Sequence, residues 1–375
     1  MQQTKLLPEF KTAPAVFAVG REYQIKVPVK SDLLFWVTVG DRTFYDHTNG
    51  IMRSAVRVHT VTVPSALLDA VGSYTVHYRK VIERLPYFPT SEDAVSQAYR
   101  FRPVPTDRDL RLYHIADTHG ALDLPVAAAR AAGEIDLLIL NGDIPNHSGD
   151  LANFDLIYQL CDALTGGEIP VVFSRGNHDM RGICAEQITD YAPTAGGCSY
   201  FTFRVGSLWG LVLDCGEDKP ESHEAYGFTN VSHVMRQAEL DFIKDVIARE
   251  DEEYKAAGVT HRMVVVHAPF TYSYKEPFNI EEELYRAWTE QIATHIRPDL
   301  LLAGHLHYCE VRPEGGERDE KKAIPVVVGS RITRKDGNAT AFAGAALQLK
   351  ENGVSVQFTN HLGEIEGAAE LPLRS

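Results

Sequence analysis

The stretch SRGNHDMRG, residues 174–182, follows Ile169-Pro170-Val171-Val172-Phe173, an apolar run of strand length bounded by turn residues. A strand that breaks into a glycine turn needs one polar turn residue. Here Asn177, His178 and Asp179 stand together behind Gly176. Three groups able to bind a metal or move a proton are more than a turn requires.

The same excess recurs along the chain. From Arg111 onward, strand candidates (LYHIA, DLLIL, PVVFS, LWGLVLD, RMVVVH, DLLLAG, IPVVVG) are interleaved with segments of helical period (LPVAAARAAG, DLANFDLIYQLCDAL, MRQAELDFIKDVIARE, EEELYRAWTEQIATHI). This alternation predicts a layered α/β domain. LYHIA runs into Asp117-Thr118-His119, DLLIL into Asn141-Gly142-Asp143, and RMVVV into His267. DLLLA runs into Gly304-His305-Leu306-His307. Ligands of open α/β sheets bind beyond the carboxyl ends of the strands. Taken singly, each residue reads as a turn, a cap or packing. Five strand ends delivering Asp117, His119, Asp143, Asn177, His267, His305 and His307 to one rim read as a metal centre.

The residue types fit that reading. Carboxylates and neutral imidazoles suit zinc, manganese, iron or cobalt. A carboxylate can bridge two cations about 3.5–4 Å apart, and an asparagine adds an amide oxygen without charge. That no cysteine stands among these positions argues against a structural thiolate zinc site. His114, just upstream of Asp117, reads as a core residue.

Residues 1–105 differ in kind. YQIKVPV, LLFWVTVG, AVRVHTVTV, GSYTVHYRKV and QAYRFRPVP are short β-runs separated by Gly, Asp, Asn and Pro, which predicts a small all-β sandwich, fibronectin III-like. His47, His59 and His77 read there as ordinary sheet or surface residues. Pro103, Pro105 and Asp107 mark a linker. An α/β domain is expected over 106–360 and a loose tail over 361–375.

Composition narrows the function classes. The 375 residues carry 44% hydrophobic and 23% charged residues and no run of about 18 apolar residues, so a soluble protein without a membrane span is expected. The N-terminus lacks a signal-peptide pattern, and five scattered cysteines fit reduced thiols, so a cytoplasmic location is expected. The formal net charge of −14 argues against a binder of nucleic-acid polymers.

The blocks DTH, GD, GNHD, VVVH and GHLH, in that order over residues 117–307, resemble the calcineurin-like metallophosphoesterase superfamily. The resemblance implies a four-layer α/β/β/α sandwich holding two divalent ions, with hydroxide activated by metal attacking phosphorus. It also implies that Asp117, His119, Asp143 and His307 hold one ion. Asp143, Asn177, His267 and His305 then hold the other, with Asp143 bridging. His178 corresponds to the non-ligand histidine that faces the substrate phosphate, and Asp179 is expected to orient its ring. Arg175 and Arg181 either steady the turn or contact substrate anions.

Within the superfamily, Ile144-Pro145-Asn146 after the GD block sets the chain apart from Ser/Thr protein phosphatases. A β-sandwich ahead of the catalytic domain resembles the layout of purple acid phosphatases. Yet His119 and Asn146 stand where those enzymes carry a glycine and an iron-binding tyrosine. Residues 215–230 and the aromatic-rich 268–279 are expected to shape the pocket. The implied substrate is a small-molecule phosphoester. A cyclic-nucleotide or other phosphodiesterase, and a non-catalytic binding scaffold, are the alternatives.

Overall fold

A computed structural model describes residues 6–314 and 323–374. Its centre is a ten-stranded sheet in which Leu110–Ile115, Leu137–Asn141 and Pro170–Ser174 lie side by side and parallel. Leu137–Asn141 and Pro170–Ser174 are buried at every position, which is why they read as continuous apolar runs. A second, six-stranded sheet places His261–Val265 between Leu208–Val212 and Leu300–Ala303, again parallel.

The two sheets face one another. Leu112, Ile139 and Val172 from the first share a core with Phe203, Val265 and Leu302 from the second. On the outer face of the first sheet, helices Asp123–Ala131 and Asp155–Thr165 bury Val126, Ile157 and Leu160. Helices Ser232–Ala248 and Glu282–Gln291 cover the second through Ile243, Val246, Tyr285 and Trp288. The four helices fall on the four segments of helical period. Asp155–Thr165 ends where Gly166 takes a left-handed φ of 57° and its N–H bonds the Asp162 carbonyl.

The N-terminal strands form a β-sandwich, but one of its faces belongs to the large sheet. Ala15–Val19 runs parallel to Pro170–Ser174, with Val16 opposite Pro170 and Phe17 opposite Val171. Glu22–Pro28 and Val58–Pro64 then extend that sheet outward. Leu33–Val39, Ser73–Arg84 and Val95–Arg100 form the opposing sheet, packing Phe35, Val37, Tyr74 and Val76 against Tyr23, Ile25 and Val61. The boundary near residue 105 is therefore a change of sequence pattern and not a break in the sheet.

The segment expected as a loose tail is a correction. Ile365–Pro372 pairs with Gly353–Asn360, which pairs with Asn338–Lys350, closing the far edge of the large sheet. Its alternate small and polar residues gave no apolar run, because an edge strand buries little; only Leu371 is in the core. Among the described residues, no helix is long and apolar enough to cross a membrane.

Candidate metal centre

Every candidate ligand sits just past the carboxyl end of a strand, and the backbone there is bent to an uncommon shape. Asp117, His119, Asp143, His305 and His307 have φ of 54°, 44°, 53°, 69° and 53°. They account for five of the eleven non-glycine residues with positive φ among those described. Asp and His tolerate this region better than most residues, yet each instance costs about 1–3 kcal/mol and persists only where surroundings enforce it. Here the enforcement is visible. The Asp117 and His119 N–H groups donate to the carbonyls of Gly142 (3.1 Å) and Asp143 (3.0 Å). The His305 N–H donates to the Asp117 carboxylate at 2.9 Å.

Glycines make the crowding possible. A Cβ on Gly142 would lie 2.6 Å from the Gly176 Cα and 2.7 Å from His267 Nδ1. One on Gly304 would lie 2.7 Å from Asp117 Oδ2, and one on Gly176 would collide with the Asp143 carboxylate.

The side chains converge in overlapping groups: Asp117, His119 and His307; His119, Asp143 and His178; Asp117, Asp143 and His267. In the last, His267 Nδ1 donates to the Asn141 carbonyl at 2.7 Å, which aims Nε2 at the carboxylates. Nε2 lies buried, 3.3 Å from Asp143 Oδ2 and 3.7 Å from Asp117 Oδ1. Two ligands held about 2.1 Å from one ion stand roughly 3.0–3.5 Å apart. His119 and His307 bring their Nε2 atoms to 2.9 Å of each other, and His307 Nε2 lies 3.4 Å from Asp117 Oδ1. On the other side, Asn177 Oδ1 and His305 Nδ1 are 3.2 Å apart. The donor set fits borderline divalent cations.

Burial pushes the imidazoles of His119 and His305 down to about 4, so both are neutral and ready as ligands at neutral pH. Burial acts on His267 in the same direction, but the Asp143 and Asp117 carboxylates outweigh it and hold His267 up to about 10. His307 is raised by its bond to Asp117. The Asp143 carboxyl, which burial would raise, is held well below the carboxylate range by His267, His178 and His119.

His178 and Asp179 occupy the turn as expected, but their relation differs. The His178 ring bonds the Asn146 carbonyl through Nδ1 at 2.8 Å and receives an N–H of Arg181 on Nε2 at 3.0 Å. Asp179 does not orient it. Its buried carboxylate instead accepts from the backbone N–H groups of Gly176 (2.7 Å) and Asp143 (3.1 Å), tying two strand ends together. Burial and the nearby Asp143 charge raise the Asp179 carboxyl to about 7. The reason lies in the tight turn Asn177–Met180: consecutive side chains point apart, and that of Asp179 goes inward.

The two arginines part company. Arg175 is turned onto Asp214, Nε to Oδ2 at 2.6 Å, away from the ligands. Arg181 stays beside His178 and grips Glu217 with two nitrogens at 2.8–3.1 Å and Asp218 at 3.0 Å. Glu217 and Asp218 were not anticipated; an acidic pair inside a long polar loop was their only signal. Arg334, also unanticipated, donates to the His119 carbonyl. His114 is buried in the core as expected and accepts from the Asn141 amide at 3.0 Å. Next to Asn177 and His305 opens a narrow cleft of about 30 Å³, walled by residues of the 215–230 and 268–279 segments.

The fold resembles that of purple acid phosphatase PPD1 from yellow lupin (Lupinus luteus) seeds, with a TM-score of 0.61, 13% identity, and coverage of 97% of this chain and 75% of that one. It also resembles PhoD, with a TM-score of 0.52 and 11% identity over 98% and 90% of the two chains. No curated protein sequence matches the chain. The family model for calcineurin-like phosphoesterase matches residues 110–309, from the first strand of the site to just beyond His307. That match covers more than half of the chain and all five ligand-bearing strand ends, and the chain accordingly belongs to the calcineurin-like phosphoesterase family.

Proposed function

We propose that this chain hydrolyses small-molecule phosphoesters with the help of two divalent ions. Asp117, His119, Asp143 and His307 would hold one ion, and Asp143, Asn177, His267 and His305 the other. The observation that carries the reading is the convergence of buried His267 Nε2 on Asp143 Oδ2 (3.3 Å) and Asp117 Oδ1 (3.7 Å), with its Nδ1 spent on the Asn141 carbonyl. Two carboxylates and an imidazole packed this closely in a buried site suit a divalent cation.

Bound ions of this kind supply Lewis acidity toward a phosphoryl oxygen and bring the pKa of water from about 15.7 towards 7. The chain's own residues do the rest. Asn141 fixes the His267 tautomer, and Asp117 fixes the His305 backbone. His178 and the adjacent edge of the Arg181 guanidinium lie beside His119, whose ring centroid is 4.5 Å from that of His178. Arg181 is placed to hold a phosphate oxygen, and His178, whose Nε2 can only accept, to take up a proton at the reacting centre.

The test is metal-dependent turnover. Protein stripped with a chelator should not hydrolyse 4-nitrophenyl phosphate, and about two equivalents of manganese(II), zinc(II) or cobalt(II) should restore hydrolysis. Full activity in protein shown by elemental analysis to be metal-free would refute the proposal.

A further inference from the structure

The cleft beside Asn177 and His305 has a chemical character that the metal centre lacks. Most of its polar lining is already committed. Both carboxylate oxygens of Glu217 are taken by Arg181. Asp218 Oδ1 accepts from Arg181, from Lys219 (2.8 Å) and from the Tyr226 hydroxyl (2.9 Å). The Tyr274 hydroxyl donates to the Pro269 carbonyl at 3.2 Å, and the Cys215 thiol to the Ala268 carbonyl at 3.3 Å. What remains open is Ala268, Phe278, Ile280 and the ring faces of Tyr274 and Tyr285.

Phe278 is 39% exposed at the mouth, with the Lys219 ammonium 5.0 Å from its ring centre. A hydroxylated group such as a sugar would exchange water for walls that offer it few free partners, and would lose hydrogen bonds on entry. An aryl group loses none and gains apolar burial. At about 30 Å³ the cleft is narrow, which excludes bulky substituents.

We infer that this cleft is a subsite for the ester substituent, selecting a compact aryl or aralkyl group over a polyhydroxylated one. The inference rests on the phosphoester reading above, because Asn177 and His305 place the cleft directly beside the proposed metal centre.

The experiment uses the full chain loaded with manganese(II) and two pairs of ligands. The first pair is 2-phenylethyl phosphate and glycerol 1-phosphate, both with alkoxide leaving groups, compared by kcat/KM. The second is the non-hydrolysable pair 2-phenylethylphosphonate and 2-hydroxyethylphosphonate, compared by calorimetric Kd. In both pairs the phenyl member should be favoured by about 10–100-fold, the range a small apolar group earns in a fitted pocket. Phe278→Ala and Ile280→Asn should bring both ratios towards 1 while the bound metal is retained. Phosphonate preference without hydrolysis of either ester would overturn the hydrolase reading but keep the aryl subsite. Hydrolysis of both esters with ratios near 1 would overturn the subsite and keep the hydrolase. No turnover together with equal phosphonate binding would overturn both.

Discussion

Arg181 donates to Nε2 of His178 at 3.0 Å, while two other nitrogens of the same guanidinium hold Glu217. With Nδ1 bonded to the Asn146 carbonyl, His178 is held in the tautomer whose Nε2 accepts a proton and has none to give. Arg181 and His178 should therefore act as one unit. Arg181→Met should lower kcat by about 10²-fold, the usual loss for one positioned donor. His178→Ala should lower it by about 10²–10⁴-fold, and the double variant little further. Arg181→Lys should not rescue, since an ammonium cannot span Glu217 and His178 together. Steady-state kinetics at matched metal content will check this. Multiplicative losses in the double variant would show that the two residues act separately.

Asp143 Oδ2 lies between the two halves of the proposed centre, 3.3 Å from His267 Nε2 and 3.8 Å from His119 Nε2, so Asp143→Asn should remove bound metal and activity together. Gly176 is not a candidate ligand, yet Gly176→Ala should have nearly the same effect, because its Cβ would collide with the Asp143 carboxylate and backbone N–H. Elemental analysis of both variants decides the matter. Retention of two ions by Asp143→Asn would sink the bridging role.

Metal loading should release protons. In the metal-free chain His267, held up to about 10, carries a proton at pH 7 that an incoming cation must displace. Below pH 10 affinity should thus rise about tenfold per pH unit for that one proton. His119 and His305, held at about 4, release none near neutrality. The same shift sets metal-free stability. The folded pKa of His267 lies above the unfolded value of about 6.5, so its contribution is complete below 6.5 and fades as pH rises through 10. Calorimetry in buffers of different ionisation enthalpy will count the protons, and a release of zero at pH 7 would contradict this account.

Sequence and structure agree best where one residue type had to serve one purpose. The candidate ligands were legible as a cluster because Asp and His ending apolar strands have few structural uses in such number. Arg175 was ambiguous because its partner, Asp214, lies 39 residues away on the other sheet. Asp179 was misread because turn geometry, not adjacency, sends its carboxylate inward to two backbone amides. The shared N-terminal sheet was hidden because AVFAV, residues 15–19, is a short apolar run with no turn signal to name its partner.

Asn141 was noticed only as a strand end. Its buried amide nitrogen shares two hydrogens among His114 Nε2, the Val266 carbonyl and the Leu302 carbonyl, each at 3.0–3.1 Å, pinning one sheet to the other beneath the candidate ligands. Asn141→Ala would leave His114 Nε2 and the Val266 carbonyl buried and unpaired, at about 1–3 kcal/mol each before relaxation, while the Leu302 carbonyl keeps the Val266 N–H. The metal-free variant should lose at least about 2 kcal/mol in urea unfolding, and an unchanged midpoint would show that water replaces the amide.

The last expectation concerns colour. The purple acid phosphatases that the sequence resembles owe their absorption to a tyrosine phenolate bound to ferric iron, at the position occupied here by Asn146. In this chain Asn146 is exposed and its carbonyl is spent on His178. His119, standing where those enzymes have glycine, brings Nε2 to 2.9 Å from that of His307 and 3.8 Å from Asp143 Oδ2. On the proposed assignment, an imidazole would take up the coordination that a phenolate supplies there. Neutral nitrogen donors favour divalent ions over ferric iron. Protein loaded with iron should be colourless or faintly yellow in air, with no intense band in the visible. A strong visible band abolished by replacing a tyrosine, with His119 intact, would mean that a phenolate reaches the ions after all and that the imidazole has not replaced it.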